Sequence, residues 1–189
     1  KAKPEKSRTN ELIIEYNFLE NISIKTTAYR TSIQDALLYD DNFNGGTGYT
    51  NTTKDLKQDG LETEFTLKGK NQILSLFNTV STSKQTEGSH QLNRPDSTYG
   101  AKFFKKFRTD LFGPFNLNYS YKHYGKVFDY APGVKKVDSS DIMDLSLTKK
   151  IFNNLWSVNI SNLLNKKYQR PQGYNQDGRQ IRIRFKKSY

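Results

Sequence analysis

The residues of this chain that could perform metal or acid–base chemistry are few and scattered. The chain has two histidines, His90 and His123, and no cysteine. Neither histidine has a second ligand at metal-binding spacing, so we interpret both as polar surface residues. No Ser-His-Asp order, phosphate-binding glycine loop or paired-carboxylate arrangement stands out. The sequence therefore predicts a protein that is not an enzyme and that carries no disulfide and no cofactor.

One segment places oxygen ligands at calcium spacing. Asp40, Asn42 and Asn44 would occupy the first, third and fifth positions of a calcium loop, with Gly45 at the sixth. The twelfth position holds Asn51 where a bidentate Glu is required, and no flanking helices are predicted. Because Asp, Asn and Gly are also ordinary turn residues, we favour a turn and keep calcium as the weaker hypothesis.

The bulk composition indicates a folded β protein of unusual polarity. Hydrophobic residues make up 34% of the chain, below the roughly 45–50% of soluble domains, yet aromatic residues reach 13%. Disordered chains are poor in aromatic and β-branched residues, so this chain is expected to fold. No stretch approaches the roughly 18 apolar residues of a transmembrane helix.

The net charge of +11 raises the question of nucleic acid. Cations and aromatics interleave in one stretch, which contains Lys102, Phe103, Phe104, Lys105, Lys106, Phe107 and Arg108. A strand with alternating faces and a charged end explains this stretch equally well. We favour solvated or lipid-headgroup roles for the basic residues and expect no nucleic-acid partner.

Apolar and polar residues alternate strictly in segment after segment, as in strands with unlike faces. Ile181, Ile183 and Phe185, for example, alternate with Arg182 and Arg184. Nine strands are predicted in this way, at residues 11–18, 22–39, 61–67, 72–83, 99–107, 115–122, 142–149, 155–164 and 181–186.

The connections between these strands alternate in length. Short links fall at residues 19–21, 69–71, 109–114 and 150–154, and long polar ones at 40–60, 84–96, 128–141 and 165–178. Outer-membrane barrels alternate short periplasmic turns with long extracellular loops. The pattern therefore predicts an all-β, transmembrane antiparallel β-barrel whose final strand descends and ends at Tyr189. A soluble β-sandwich remains the alternative.

The predicted strand ends carry aromatic residues at both membrane interfaces. The periplasmic girdle comprises Phe18, Phe115, Trp156, Phe185 and Tyr189. The extracellular girdle comprises Tyr39, Tyr121, Tyr130 and Tyr168.

Three pairs of short motifs carry a family resemblance. Val158-Asn-Ile-Ser-Asn-Leu-Leu-Asn-Lys-Lys-Tyr168 is followed by Gly173-Tyr-Asn-Gln-Asp-Gly-Arg179. Lys3-Pro-Glu-Lys-Ser7 is followed by Asn10-Glu-Leu12, and Tyr49-Thr-Asn51 by Gly60-Leu-Glu62. In type, order and spacing these motifs resemble the C-terminal part of TonB-dependent outer-membrane receptors, with the final elements most similar to the cobalamin transporter group.

The resemblance implies a barrel of 22 strands filled by an N-terminal plug. Residues 1–189 would then form about the last nine strands, with the plug and the TonB box outside this sequence. It further implies TonB-energised uptake of cobalamin, a ferric siderophore or heme across the outer membrane of a Gram-negative cell. The implied partners are outer-membrane lipid and lipopolysaccharide, TonB, the plug and a small nutrient. A passive porin-like barrel remains an alternative function.

Two groups of residues are candidates for a functional site. Ligand contacts are expected from the extracellular loops, at Tyr39, Phe43, Tyr49, Phe128, Tyr130, Arg170 and Tyr174. Contacts with the plug are expected from the lumen, at Glu11, Glu15, Glu62, Glu64, Arg182 and Arg184. A generic hydrated wall is the alternative explanation of this second group.

Overall fold

The computed structural model describes residues 2–43, 46–53, 55–85, 95–111, 113–128, 136–170 and 173–187. All the regular structure in these ranges is β-strand. The strands are β1 (Lys6–Leu19), β2 (Ile22–Gln34), β3 (Leu37–Phe43), β4 (Gly46–Asn51), β5 (Leu56–Gly69), β6 (Gln72–Gln85), β7 (Ser97–Thr109), β8 (Gly113–Tyr124), β9 (Val127–Phe128), β10 (Lys136–Val137), β11 (Ser140–Ile151), β12 (Asn154–Ser161) and β13 (Gln180–Lys186). Within the described residues no helix is long and apolar enough to span a membrane.

Nine strands form one antiparallel sheet in the order β1-β2-β5-β6-β7-β8-β11-β12-β13. Each strand therefore pairs with its neighbour along the chain, apart from two small hairpins, β3–β4 and β9–β10, that extend from one end. Short turns lie at the opposite end. The predicted all-β architecture with nine strands in one sheet is thus confirmed. Strands of 12 to 14 residues such as β5 and β8 are long enough to cross a bilayer obliquely, whereas β12 and β13 have 8 and 7 residues.

Several predicted boundaries are wrong, and β1, predicted at residues 11–18, already begins at Lys6. The predicted strand 22–39 stops at Gln34, because Asp35 adopts a left-handed conformation with φ 52° and turns the chain into β3. The predicted loop 40–60 contains most of the β3–β4 hairpin and the start of β5 at Leu56. The predicted strand 155–164 ends at Ser161, since Asn162 has φ 51°.

The register places apolar and polar residues on opposite faces of the sheet. Leu12 faces Ala28, which faces Leu61, which in turn faces Val80. At the other edge Leu147 faces Val158, which faces Ile183. We call this side the apolar face and the opposite side the polar face.

The sheet has almost no core of its own. Among the described residues the buried hydrophobic side chains are Ala36, Val127 and Val137. Leu12 is 62% exposed and Ile181 is 66% exposed, both on the apolar face. A soluble sandwich would cover such a face with a second sheet, and the described strands provide none. The described sheet therefore does not match the soluble-sandwich alternative.

Aromatic rings collect on the apolar face at the end with the short turns. The Phe107 and Phe115 rings stack with centroids 5.2 Å apart, and Trp156 packs on Phe185 at 4.8 Å. Phe18 lies at the same end, 4.7 Å from Tyr16. Four members of the predicted periplasmic girdle thus share one face and one end, while Tyr130 and Tyr189 lie outside the described residues.

Two glycines on the polar face are covered by aromatic rings from the neighbouring strand. A Cβ atom added to Gly60 would lie 2.2 Å from the Tyr29 ring. A Cβ atom added to Gly100 would lie 2.7 Å from the Phe77 ring and 2.1 Å from the backbone oxygen of Tyr121. The Tyr29 ring can move away, whereas the Tyr121 carbonyl is fixed by the sheet.

We predict that Gly100→Ala destabilises the full-length barrel more than Gly60→Ala does. Overpacking of this kind costs about 1–3 kcal/mol when the obstructing atoms cannot move. Heat-modifiable mobility in gel electrophoresis measures the unfolding temperature of each variant. Equal unfolding temperatures for the two variants would show that the Tyr121 backbone can yield.

Candidate functional site

The six predicted lumen residues all lie on the polar face, but in two separate places. Glu11 and Glu15 are on β1, and Glu62 and Glu64 on β5, with β2 between them. Lys25 of β2 faces both Glu15 and Glu64. Glu11 faces Tyr29, and Glu62 faces Thr27. The result is an acidic area that holds four carboxylates around one lysine.

Arg182 and Arg184 are not close to these carboxylates. They lie on β13 at the far edge of the sheet, where they face Asn159 and Ser157 of β12. Other cations of the polar face on β7 and β8 include Lys102, Lys106 and Lys122. The polar face thus has an acidic area at β1–β5 and carries most of its cations from β7 to β13, and Lys102 lines one open pocket together with Glu62 and Glu64.

The side chain of Asn51 holds together the base of the first long loop, which contains the β3–β4 hairpin. Its Oδ1 accepts a hydrogen bond from the backbone N–H of Lys3 at 2.7 Å, and its Nδ2 donates to the backbone oxygens of Lys3 at 2.9 Å and Asp35 at 2.6 Å. The backbone N–H of Leu37 donates to a carboxylate oxygen of Glu5. The Lys3-Pro-Glu motif and the Tyr-Thr-Asn motif therefore meet in space, and together they fix the base of the β3–β4 hairpin.

A second asparagine closes the base of the last loop. Asn162 is buried, its Oδ1 accepts from Lys166 N at 2.9 Å, and its Nδ2 donates to the backbone oxygens of Lys166 at 2.9 Å and Asp177 at 3.2 Å. Its backbone N–H donates to Asp144 Oδ1 at 2.9 Å. Asn165 Oδ1 accepts from Arg179 N at 2.9 Å.

Gly178 is required beside Asn165, because an added Cβ would lie 2.7 Å from Asn165 Oδ1. The Asn-Leu-Leu-Asn motif and the Gly-Arg motif therefore contact each other, and together they hold the two ends of the last loop. Sequence reasoning found these residues as a family signature and missed what they do. The signal was present in Asn162 and Asn165, a residue type that tolerates the left-handed conformation both adopt.

Above this closure Arg170 is held against two tyrosines. Its guanidinium carbon lies 3.7 Å from the centroid of the Tyr124 ring, which belongs to the top of β8. Burial lowers the pKa of Arg170 below its usual value, while Tyr124 and Tyr168 act in the opposite direction. Burial likewise raises the pKa of Tyr168. Arg170 therefore serves first as a support for the last loop, and Tyr124 was missed by sequence reasoning.

His123 lies on the apolar face at the loop end of the sheet. Its Nδ1 is 2.8 Å from Asp141 Oδ1, which also accepts a hydrogen bond from the Tyr121 hydroxyl at 2.7 Å. The imidazole stacks on Tyr99 with centroids 4.5 Å apart. Among the described residues no three His, Asp or Glu side chains are placed to hold a metal ion.

The structure describes only some of the predicted ligand residues. Tyr49 is 66% exposed on β4, and Tyr174 is 69% exposed in the last loop. Tyr49 belongs to the β3–β4 hairpin and Arg170 to the last loop. The side chains of Tyr39, Phe43 and Phe128, and the whole of Tyr130, lie outside the described part of the chain.

The structure also bears on the two weaker hypotheses, a calcium loop and a nucleic-acid-binding surface. Asp40 and Asn42 fall on strand β3, with side chains outside the described part, and Asn44 lies outside it entirely. Asn51, the twelfth position of the proposed calcium loop, is occupied by the loop-base bonds. On β7, Lys102, Phe104 and Lys106 lie on the polar face while Phe103, Lys105 and Phe107 lie on the apolar face, so the strand divides the cations and aromatics of this stretch between two opposite faces.

A single sheet with one apolar face, aromatic rings at the short-turn end and long loops at the other end is part of the wall of a transmembrane β-barrel. The family model described as TonB dependent receptor-like, beta-barrel matches residues 2–163. The chain belongs to the TonB-dependent receptor β-barrel family. No curated protein sequence matches it significantly.

Solved structures support the same fold at low sequence identity. The pyoverdine outer membrane receptor FpvA from Pseudomonas aeruginosa PAO1 is 15% identical with a TM-score of 0.74, over 96% of this chain and 29% of that one. The ferric preacinetobactin receptor BauA from Acinetobacter baumannii is 16% identical with a TM-score of 0.74, over 95% and 29%. The copper transporter OprC is 16% identical with a TM-score of 0.76, over 96% and 31%. The chain thus spans less than a third of the length of these proteins.

We predict that Asn162→Ala opens the last loop of the full-length receptor. The substitution leaves the backbone groups of Lys166 and Asp177 without their partner, at a cost of about 1–3 kcal/mol. Limited proteolysis with cleavage sites mapped by mass spectrometry is expected to show faster cutting within residues 163–179. Asn175→Ala is the matched control, because Asn175 is exposed in the same loop and bonds only Gln169 among the described residues. Equal cutting in both variants would contradict the role of Asn162.

Proposed function

We propose that this chain is part of an outer-membrane receptor that imports a scarce metal chelate into the periplasm with energy delivered through TonB. The match of the receptor family over residues 2–163 carries the proposal. The chain contributes wall and loops, so its work is binding and gating rather than catalysis. The apolar face would contact lipid and the polar face would line the lumen.

The acidic area of the polar face supports a plug inside the lumen. Lys25 brings one positive charge to the two carboxylates that it faces, Glu15 and Glu64, whereas Glu11 and Glu62 face uncharged residues on β2. Like charges repel, so a purely hydrated wall would gain nothing by concentrating them. We infer that cations of the plug supply the missing charge, which favours plug contact over a hydrated wall for these glutamates.

For the ligand we favour a bulky metal chelate. FpvA is described as a pyoverdine receptor, BauA as a ferric preacinetobactin receptor and OprC as a copper transporter. Cobalamin, which the motif spacing suggested, is also a metal chelate, and heme is another. Exposed aromatic side chains such as Tyr49 and Tyr174 suit the flat apolar surfaces of such ligands.

A passive porin-like barrel is the competing function, since it shares the wall but needs neither plug nor energy. Loss of TonB separates the two. We predict that uptake of the radiolabelled ligand through the full-length protein falls at least tenfold in a cell lacking TonB, whereas diffusion through a porin would not change. A panel of ferric siderophores, heme and cobalamin in a receptor-deficient strain identifies the ligand. Undiminished uptake without TonB would defeat the receptor mechanism.

We predict that Tyr174→Ala and Tyr49→Ala weaken ligand binding by about tenfold each, a usual effect for an exposed aromatic contact. Equilibrium binding of the identified ligand to detergent-solubilised receptor measures the effect. Phe152→Ala is the matched control, because Phe152 is 92% exposed in a turn at the opposite end of the sheet. Unchanged affinity in both tyrosine variants would show that the ligand does not bind Tyr49 or Tyr174.

A further inference from the structure

A group of cations on the apolar face lies near the loop end. Arg8 of β1 faces Ser32 of β2, which faces Lys57 of β5. Neighbouring strands lie about 4.8 Å apart, so the Cα atoms of Arg8 and Lys57 are about 10 Å apart with a small hydroxyl side chain between them. Arg8 and Lys57 are exposed, and within the described residues neither forms an ion pair.

Arg30 completes the cluster from below. It precedes Ser32 by two residues on the same face of β2, and its Nε and Nη2 contact Asp59 at 2.6 and 3.3 Å. The other terminal nitrogen of its guanidinium remains available. Three cations therefore surround the Ser32 hydroxyl against the single carboxylate of Asp59, an arrangement with the charge and hydrogen-bond donors that a phosphate group requires.

An open groove on the same face begins directly beneath the cations. Ala28 lies between Leu12 and Leu61, and this small side chain leaves a shallow, open depression that extends to Val80. Its walls are apolar at the bottom and polar at the top, where Arg30 and Asp59 line it. The groups that could bind phosphate thus lie nearest the loop end, and the apolar surface lies below them, closer to the membrane centre.

We propose that Arg8, Ser32, Lys57 and Arg30 bind a phosphate of lipopolysaccharide, and that one of its acyl chains lies in the groove over Ala28. The inference rests on the outer-membrane placement in the proposed function, because the loop end then lies in the leaflet that lipopolysaccharide occupies. Lys6, two residues above Arg8 on the same face, adds a further positive charge for a ligand with more than one phosphate. A phospholipid headgroup carries fewer charges and engages fewer of these cations.

The test is lipid titration of the purified full-length receptor by native mass spectrometry. The probes are bis-phosphorylated lipid A, its dephosphorylated form and phosphatidylglycerol. Wild-type receptor is expected to bind bis-phosphorylated lipid A at least tenfold more tightly than either other lipid. The double variant Arg8→Gln, Lys57→Gln is expected to lose that preference.

Two controls keep the result interpretable. Lys105→Gln removes a cation from the same face at the other end of the membrane and is expected to bind as wild type. The charge-conserving pair Arg8→Lys, Lys57→Arg is expected to retain most of the binding, which separates charge from folding. Equal binding of phosphatidylglycerol, or full binding by the Gln double variant, would overturn the proposal.

Ligand uptake measured separately in cells keeps this proposal distinct from the receptor function. Uptake that persists in the Gln double variant while the lipid preference is lost supports the lipid site. A wild-type receptor that shows no uptake but binds lipid A selectively would defeat the transport proposal and leave the lipid site standing.

Discussion

The backbone hydrogen bond governs this structure more than any side-chain contact. In hydrocarbon no water is available to an unpaired N–H or C=O group, so strands can enter a bilayer only as members of a continuous sheet. Here nine strands pair in chain order, with only the β3–β4 and β9–β10 hairpins set aside, and β1 and β13 form the two edges of the described sheet. Because backbone hydrogen bonds hold the strands together, the side chains need not form a core. They can contact lipid on one face and polar surroundings on the other.

That division explains which features could be predicted from sequence. A two-residue period repeats wherever one face is apolar, so the number of strands, their faces and the side with short turns follow from residues such as Ile181, Arg182 and Ile183. Strand ends carry no such signal. The predicted strand 22–39 ran past Gln34 because Leu37 begins a second strand after only two residues. Neither Asp35 nor Ala36 is a glycine or proline that would mark the turn.

The loop closures could not be predicted, for a different physical reason. Asn51 bonds Lys3 at a separation of 48 residues, and Asn162 bonds Asp177 at a separation of 15. No local pattern marks such partners. Once the sheet has set the strand ends, however, they are brought together, and a buried amide can satisfy several backbone groups at once. The motifs that carried the family resemblance thus define where the loops are attached, and the proposed ligand contacts lie between these attachments.

Glycine and alanine also have different surroundings on the two faces of the sheet. On the polar face Gly60 and Gly100 would leave bare backbone, and Tyr29 and Phe77 cover them from the neighbouring strands. Such aromatic cover restores the packing that a glycine in a strand gives up. On the apolar face Ala28 leaves a gap that no neighbouring side chain fills. A gap that faces water weakens the strand beneath it, whereas a gap that faces lipid can be filled by a hydrocarbon chain without loss of any hydrogen bond. An unfilled depression is therefore tolerable only on the face that meets lipid, and its position below a group of cations makes that depression specific to a lipid with an anionic head.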